Sequence, residues 1–429
     1  MTIKLTNDLE TSLVINIAEG LQNTIPRNDY VTPSDFSWAT ALESRLPAEA
    51  RSKLDRYIGE RALAQFILAE ITRDNYSQPV IGKIVAGRPI TSLGILSNPI
   101  AYSRALVTKL QSLPIRYRLT AALPSLFARP IISDIEDRIE LPQSIVIAKG
   151  GSLPSPLPTS SPIAYYNSTL FNDWVEGGTE KRDIEDDRLY LSMPTLGYAS
   201  GLLGASLARS FEDTMRAFYG AGIAIAMLNF GWETSPDERS YIMIHDEKSR
   251  ELMQTHKIEE DLLAHSYWYS STSGFAKTNS LNLPNAIGRA IRRIGTIFQT
   301  DVDALRLFSA CVWFQKAKVN SRPLDAMLQA TIAIEVLLGD RKAAEGIGLT
   351  NLLSSRCAYL LGRSTAHRQQ IEANFRKVYD LRSQIVHEGR HVAKTDDQST
   401  LKIALSLCAS IITKELAIRA EVPSPQSLL

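Results

Sequence analysis

From residue 285 onward the chain is an almost unbroken series of helix-forming segments, and this feature constrains the fold more than any other. Apolar residues recur at helical spacing over residues 286–300, 302–318, 323–338, 349–361 and 367–387, and again over 400–420. Gly339, Gly362 and Gly389 each follow one of these runs, where a left-handed residue ends a helix at little cost. The last third of the chain is therefore predicted to be an all-α bundle.

The first 270 residues mix two patterns, so the predicted fold class is mainly α, with a helical C-terminal bundle preceded by a mixed α+β N-terminal region. Strands are predicted at residues 13–17, 144–148 and 240–245, and helices at 47–72, 102–113, 211–228 and 257–267. Stretches rich in Pro, Ser, Thr and Asn at 150–162 and 270–284 predict two connectors. The predicted divisions are a mixed α/β region at 1–149 of unknown role, a middle α+β region at 163–270 that senses or regulates, and the helical bundle at 284–429.

Composition and motifs exclude several classes of protein. With 429 residues, 44% of them hydrophobic and 22% charged, the chain is long enough for several packed domains and is not disordered as a whole. Cys311, Cys357 and Cys408 lack the spacing of a zinc site or a disulfide framework, so no metal and no cofactor is expected. The same cysteine usage predicts a reducing, cytoplasmic location. Asp8 and Glu10 argue against a signal peptide. The longest uncharged run, 189–208, is too polar and broken to span a membrane, so no membrane partner is expected.

One helix end in the last segment carries residues suited to chemistry. The buried stripe of helix 367–387 is flanked by Arg382 and His387, five residues apart, which on an ideal helix corresponds to about 140° of rotation. The two side chains would converge only where the helix end frays or tightens. An imidazole in the last turn before Gly389 suits general acid or base catalysis at neutral pH. The planar guanidinium fits a pair of phosphate oxygens and stays charged.

The sequence around this pair resembles the ApeA-like branch of the HEPN-domain ribonucleases. Arg382-x4-His387 matches the R-x4-6-H signature of that family, and it lies within the run YDLRSQIVH at 379–387. Phe314, Ala317, Asp325 and the run ATIAIEVLLG at 330–339 precede it in the expected helix order. The resemblance covers residues 285–420, about a third of the chain.

This resemblance implies a metal-independent endoribonuclease that acts as a homodimer. Two bundles would pair side by side, and each would donate Arg382 and His387 to one composite cleft at the dimer axis. The RNA substrate, for which tRNA is a candidate, would be cut by attack of its 2′-hydroxyl on the adjacent phosphate, with a base to take the proton and a cation to hold the developing charge. DNA lacks this hydroxyl. The resemblance further implies a toxin or phage-defence effector, with a trigger ligand or protein acting at the N-terminal region.

Two other interpretations of the pair are open. Arg382 and His387 could only cap and pair at a helix end, with Asp380 or Glu388 as partners. Alternatively, the bundle could be a catalytically inactive dimerisation or RNA-binding module with a scaffold or sensor role. Many catalytic members of the family carry Asn, Asp or His after the arginine, whereas this chain has Ser383, which lies four residues before His387 and could orient its ring.

Further candidates surround the pair. Glu335 is either a buried acid that pairs with a cation or an ordinary edge residue, and Tyr379 is either a core residue or a platform for stacking bases. Arg390, His391 and Lys394 either contact the RNA backbone or form a solvated loop.

The distribution of charge favours a polyanionic substrate for the last segment. The whole chain has a net charge of +1, but residues 284–429 hold 20 Lys or Arg against 13 Asp or Glu, which is +7, and the remaining residues hold 27 against 33, which is −6. A basic bundle attracts RNA, and an acidic front portion could repel RNA or cover the basic cleft.

Overall fold

The computed structural model describes residues 2–26, 32–75, 87–92, 94–123, 134–153, 184–186, 188–200, 205–230, 241–263, 266–268, 279 and 282–421. Within these ranges the chain is mainly helical, with a small antiparallel sheet in the N-terminal half and a helical C-terminal region. The predicted fold class is confirmed at this level. The connector predicted at 150–162 lies outside the described residues beyond Leu153, and most of the one at 270–284 does too.

Five helices form the first part of the chain: α1 (Asn7–Asn23), α2 (Ser37–Glu43), α3 (Ala48–Tyr57), α4 (Ala62–Asn75) and α5 (Pro99–Gln111). The strand predicted at 13–17 is wrong, because these residues lie in α1. The side chain of Thr6 caps this helix at Leu9, and a helical stripe of buried apolar residues outweighs the local β propensity. The helix predicted at 47–72 is interrupted between α3 and α4, where Gly59 has a φ of 104°.

A six-stranded antiparallel sheet follows. Its strands are β1 (Ile115–Ala122), β2 (Arg138–Leu141), β3 (Ile145–Lys149), β4 (Leu189–Gly197), β6 (Tyr241–Asp246) and β7 (Leu252–Lys257), in the order β2-β3-β4-β1-β6-β7. Leu119 of β1 pairs with Met193 of β4 and with Ile244 of β6. The strands predicted at 144–148 and 240–245 are confirmed as β3 and β6.

Helix α6 (Ala205–Ala224) joins the sheet to the C-terminal helices. It is followed by β5 (Leu228–Phe230), which pairs with β8 (Ser266–Trp268). Only the single turn α7 (Glu260–Leu263) is helical between β7 and β8, so the helix predicted at 257–267 is mostly wrong. Gly220 of α6 lies so close to the carbonyl oxygen of Cys311 that a Cβ atom there would be 2.0 Å from it. This glycine therefore allows α6 to pack tightly on the C-terminal bundle.

The C-terminal bundle consists of α8 (Leu283–Gly295), α9 (Val302–Val319), α10 (Pro323–Leu338), the short α11 (Arg341–Ala344), α12 (Leu349–Leu361), α13 (Thr365–His387) and α14 (Thr395–Glu421). The predicted bounds of α10 and α12 are confirmed, and those of α9 and α13 differ by at most two residues. Asp301 and Ser364 cap α9 and α13 by accepting hydrogen bonds from Ala304 and His367. Short 3-10 turns lie at Pro33–Phe36, Ile90–Ser92, Gly94–Leu96, Pro142–Ser144, Gly150–Ser152 and Thr296–Phe298.

The three glycines that follow these helices behave differently from one another. Gly389 has a φ of 67°, so the predicted left-handed stop is confirmed there. Gly339 and Gly362 are extended, with φ of −73° and −74°. A Cβ atom at either position would collide with the preceding helix carbonyl, of Glu335 or Ala358, so these two glycines permit a close approach of backbone instead.

Two large clusters of buried apolar residues run through the molecule. One is formed by residues between 3 and 113 together with Tyr198. The other combines one face of the sheet and α6 with the C-terminal helices. The sheet and the bundle thus share a core through α6. The three divisions predicted from the sequence stay predictions, and the shared core is a continuity that composition does not indicate.

A buried polar cluster accompanies this shared core. Arg216 of α6 is 2% exposed and donates hydrogen bonds to Asp261 (2.7 and 2.9 Å), to Glu259 (2.5 Å) and to Gln315 of α9 (3.1 Å). Glu212, one turn earlier, accepts the backbone N–H of Glu259 at 3.0 Å. One guanidinium therefore connects α6, α7 and the bundle.

Among the described helices, none combines the length and the apolar character that crossing a bilayer requires. The three cysteines are buried and unpaired with one another.

Candidate functional site

Helix α13 supports the candidate site. Its buried stripe of Ile371, Phe375, Val378 and Leu381 packs into the bundle, where Val378 and Leu381 contact a cluster that includes Met327 and Ala330 of α10 and Ala404 of α14. The helix continues through His387, and Glu388 and Gly389 end it. The arginine and the histidine therefore both project from regular helix. The fraying or tightening that would make them converge within one copy is not observed.

The guanidinium of Arg382 lies between an acid and an aromatic ring. Its Nε is 3.4 Å from Oε1 of Glu335 on α10, and both side chains are 23% exposed. Its Cζ is 5.6 Å from the centre of the Tyr379 ring, which in turn stacks on Phe375 with ring centres 5.8 Å apart. The pairing interpretation of Glu335 is therefore supported. The arginine's acidic partner is Glu335 and not Asp380 or Glu388, among the ion pairs of the described residues.

Tyr379 has little free surface for a base. Phe375 lies one helical turn before it and Arg382 nearly one turn after it, so both neighbours along α13 contact the ring. Burial raises the pKa of its phenol, and the negative charge of the nearby Glu335 carboxylate raises this pKa further. This geometry favours a structural role for Tyr379 beside Arg382 over a role in stacking bases.

His387 is in a different environment. Its ring is exposed at the end of α13, and Ser383, four residues earlier, is half-buried. Within the described part of the chain, no hydrogen bond joins Ser383 to His387, so the suggested orientation of the ring by Ser383 stays a prediction. An exposed imidazole is accessible to a substrate or to a second copy of the chain.

The three predicted RNA-contacting residues beyond α13, Arg390, His391 and Lys394, differ in how far their side chains are exposed. Arg390 donates to Gln384 (2.8 Å) and to Asp397 (2.6 Å), and Asp397 also accepts the backbone N–H of Lys394 at 2.6 Å. Arg390 therefore ties the end of α13 to the start of α14. The side chains of His391 and Lys394 are exposed, and His391 Nδ1 lies 3.3 Å from the Gly389 carbonyl oxygen. Of the three predicted RNA contacts, only these two present their side chains fully to solvent.

Gln384 and Asp397 were not among the residues singled out in the sequence. The signal for Asp397 was present, since an acid in the first turn of a helix accepts backbone N–H groups there. It was missed because helix 400–420 was predicted to begin after Asp397, whereas α14 begins at Thr395.

The comparisons add no relatives. The chain matches no protein family model, no curated protein and no solved structure. The candidate site therefore has to be judged on its own chemistry.

That chemistry is an arginine, a histidine and their neighbours. Within the described ranges, no group of three or more His, Cys, Asp or Glu side chains is arranged to hold a metal ion. What α13 does present is a guanidinium held at its Nε edge and an imidazole open to solvent. Together these can bind a phosphate and transfer a proton.

Proposed function

We propose that the C-terminal bundle is an endoribonuclease of the HEPN type that needs no metal and whose cleft forms between two copies of the chain. The observation that supports this most strongly is the state of Arg382. It makes an ion pair and a ring contact, yet none of its N–H groups is used in a hydrogen bond within the described residues. A guanidinium with free donors on a bundle of charge +7 is suited to a phosphodiester.

The reaction divides between two residue types. His387 of one copy takes the proton from the 2′-hydroxyl, whose oxygen attacks the adjacent phosphorus. Arg382 stabilises the negative charge that develops on the phosphoryl oxygens. The bond to the 5′-oxygen breaks, and the His387 of the second copy protonates the leaving oxygen. The products are a 2′,3′-cyclic phosphate and a 5′-hydroxyl, and no oxidant or metal is consumed.

The geometry of α13 supports the proposed dimer. Because Arg382 faces Glu335 and His387 is exposed further around the helix, a second copy is needed to bring a histidine opposite each arginine. Each copy also supplies one histidine, whereas the reaction requires two proton transfers.

A role in toxicity or phage defence is the biological part of the proposal. The acidic front portion, with net charge −6, would restrain the basic bundle until a trigger ligand or protein acts on it. Arg216 of α6 connects the front portion to the bundle, because it donates hydrogen bonds both to Asp261 and to Gln315 of the bundle. A change in the front portion would be transmitted to the bundle through these contacts.

The test is cleavage of total RNA and of tRNA by the purified protein in EDTA, beside Arg382→Ala and His387→Ala. Wild type should produce fragments that end in 2′,3′-cyclic phosphate, and each variant should lose about 100-fold or more in rate. Intact RNA with wild type, cutting by both variants at the wild-type rate, or a metal requirement would contradict the proposal. RNA that is bound but not cut would favour the inactive RNA-binding module.

A further inference from the structure

Glu335 makes an unusual contact for a carboxylate in the bundle. Its Oε1 is buried and has no hydrogen-bond partner among the residues that the structure describes, although the Nε of Arg382 is only 3.4 Å away. A buried acceptor without a hydrogen bond costs about 1–3 kcal/mol, so its retention calls for an explanation.

The contact also leaves one side of Arg382 free. A guanidinium carries five N–H donors, and Glu335 approaches the one at Nε. The Tyr379 ring lies against the guanidinium at 5.6 Å, and Phe375 supports that ring from the other direction along α13. The edge formed by the two terminal nitrogens makes no hydrogen bond to any described residue. This edge is the one that binds two phosphate oxygens in a bidentate pair.

We propose that Glu335 is a positioning residue: with the Tyr379 ring it holds the Arg382 guanidinium so that its terminal edge is open to the phosphate. This inference rests on the proposed ribonuclease function. It deepens that function by assigning phosphate recognition to a three-residue unit built from two helices, α10 and α13. Glu335 does not contact the substrate and acts only through Arg382.

The main test is a double-mutant cycle in the steady-state cleavage of RNA. Glu335→Gln keeps the size of the side chain and removes its charge, and it should lower kcat about 10- to 100-fold, since a small misplacement of a binding group has effects of this size, while KM changes little. In the Arg382→Ala background the same change should have no further effect, because the residue through which it acts is gone. The assignment would be overturned if the double variant lost activity by the product of the two single losses. It would also be overturned if Glu335→Gln were as active as wild type or more active.

The matched control is Asp325→Asn on the same helix. Asp325 is 48% exposed and its carboxylate is 3.8 Å from Arg322, so it is an acid in an exposed ion pair. This substitution should leave kcat unchanged and should show no coupling to Arg382→Ala. Thermal unfolding of each variant confirms that the loss of kcat is not a loss of folded protein.

A second measurement separates failure of this inference from failure of the proposed function. If wild type cuts no RNA, the ribonuclease proposal fails, but the order of the Arg382 side chain can still be measured by the heteronuclear NOE of its Nε–Hε group. Wild type should show a rigid group on the picosecond to nanosecond timescale, and Glu335→Gln should show a flexible one. Equal values in the two proteins would overturn the positioning role.

Discussion

Arg382 and His387 project from the same helix into different surroundings: the Arg382 guanidinium lies against Glu335, and the His387 ring is exposed to solvent. Helix α13 remains regular as far as His387, so the two side chains keep the angular separation of an ideal helix. The composite cleft that we propose, in which the histidine of a second copy faces each arginine, is consistent with this separation.

Exposed apolar residues beside His387 should contribute to the dimer. Val386 and Val392 are 47% and 64% exposed on either side of it. Placing a charge in this surface with Val386→Asp should give a monomer at micromolar concentration in sedimentation equilibrium, under conditions in which wild type should be a dimer, because an unpaired charge is costly in an interface. Val302→Asp, on a valine that is also exposed but lies at the start of α9, should remain dimeric. A wild-type monomer would contradict the dimer itself.

Arg390 should stabilise the fold more than it binds RNA. Arg390→Ala leaves Asp397, which is almost fully buried, without its 2.6 Å guanidinium partner, and should lower the free energy of unfolding by about 2 kcal/mol. Lys394→Ala, on an exposed neighbouring cation, should change it by no more than about 0.5 kcal/mol. Urea unfolding measures both. A stable Arg390→Ala protein with weakened RNA affinity would show that Arg390 acts on RNA instead.

Glu212 should make the stability of the chain depend on pH. Burial, together with the nearby carboxylates of Glu259 and Asp261, raises its pKa from 4.5 to about 7, against the opposing effects of Arg216 and a backbone hydrogen bond. The folded state therefore binds this proton more tightly than the unfolded state. The stabilisation is present below pH 4.5 and is lost as the pH rises to about 7.

Glu212→Gln keeps the acceptor for the Glu259 N–H and removes this ionisation. Its free energy of unfolding, relative to wild type, should rise by about 3 kcal/mol between pH 4 and pH 8, as a shift of this size implies. Asp213→Asn, on the exposed neighbour, should show no such trend. Parallel stability curves for Glu212→Gln and wild type would contradict the assignment.

The close packing of α6 on α9 should tolerate no side chain at Gly220. Gly220→Ala improves helix propensity by about 1 kcal/mol, but it forces a Cβ against the Cys311 backbone, so it should destabilise the protein by about 2 kcal/mol or more. Gly94→Ala, where no atom lies within 4 Å of the added Cβ, serves as the control. Thermal unfolding that is unchanged or raised in Gly220→Ala would mean that the two helices can separate without cost.

Sequence periodicity predicted the bundle well because its helices carry their own start and stop signals. Pro323 begins α10, Ser364 caps α13, and Gly389 ends it. The front half was harder. At residues 13–17 three β-branched residues, Val14, Ile15 and Ile17, suggested a strand, whereas burial of one face against α5 made the segment helical.

The candidate site was predictable as a set of residues but not as an arrangement. Arg382 and His387 could be singled out by type and spacing, and Glu335 by its place in an apolar helix. The sequence left open whether Arg382 would pair with Asp380, Glu388 or an acid on another helix. That choice depends on how α10 packs against α13, which is a tertiary contact that helical spacing does not report.

The most direct test of the composite cleft is complementation between two inactive variants. Arg382→Ala retains His387, and His387→Ala retains Arg382. A mixed dimer therefore holds one Arg382 on one copy and one His387 on the other. After subunit exchange, with formation of the mixed dimer verified by mass, cleavage of RNA in EDTA should rise about 10-fold above either variant alone and stay below wild type, because one arginine and one histidine then act in a single cleft and only one of the two histidine proton transfers is restored. A mixture that contains the mixed dimer and is as inactive as its two components would contradict the account.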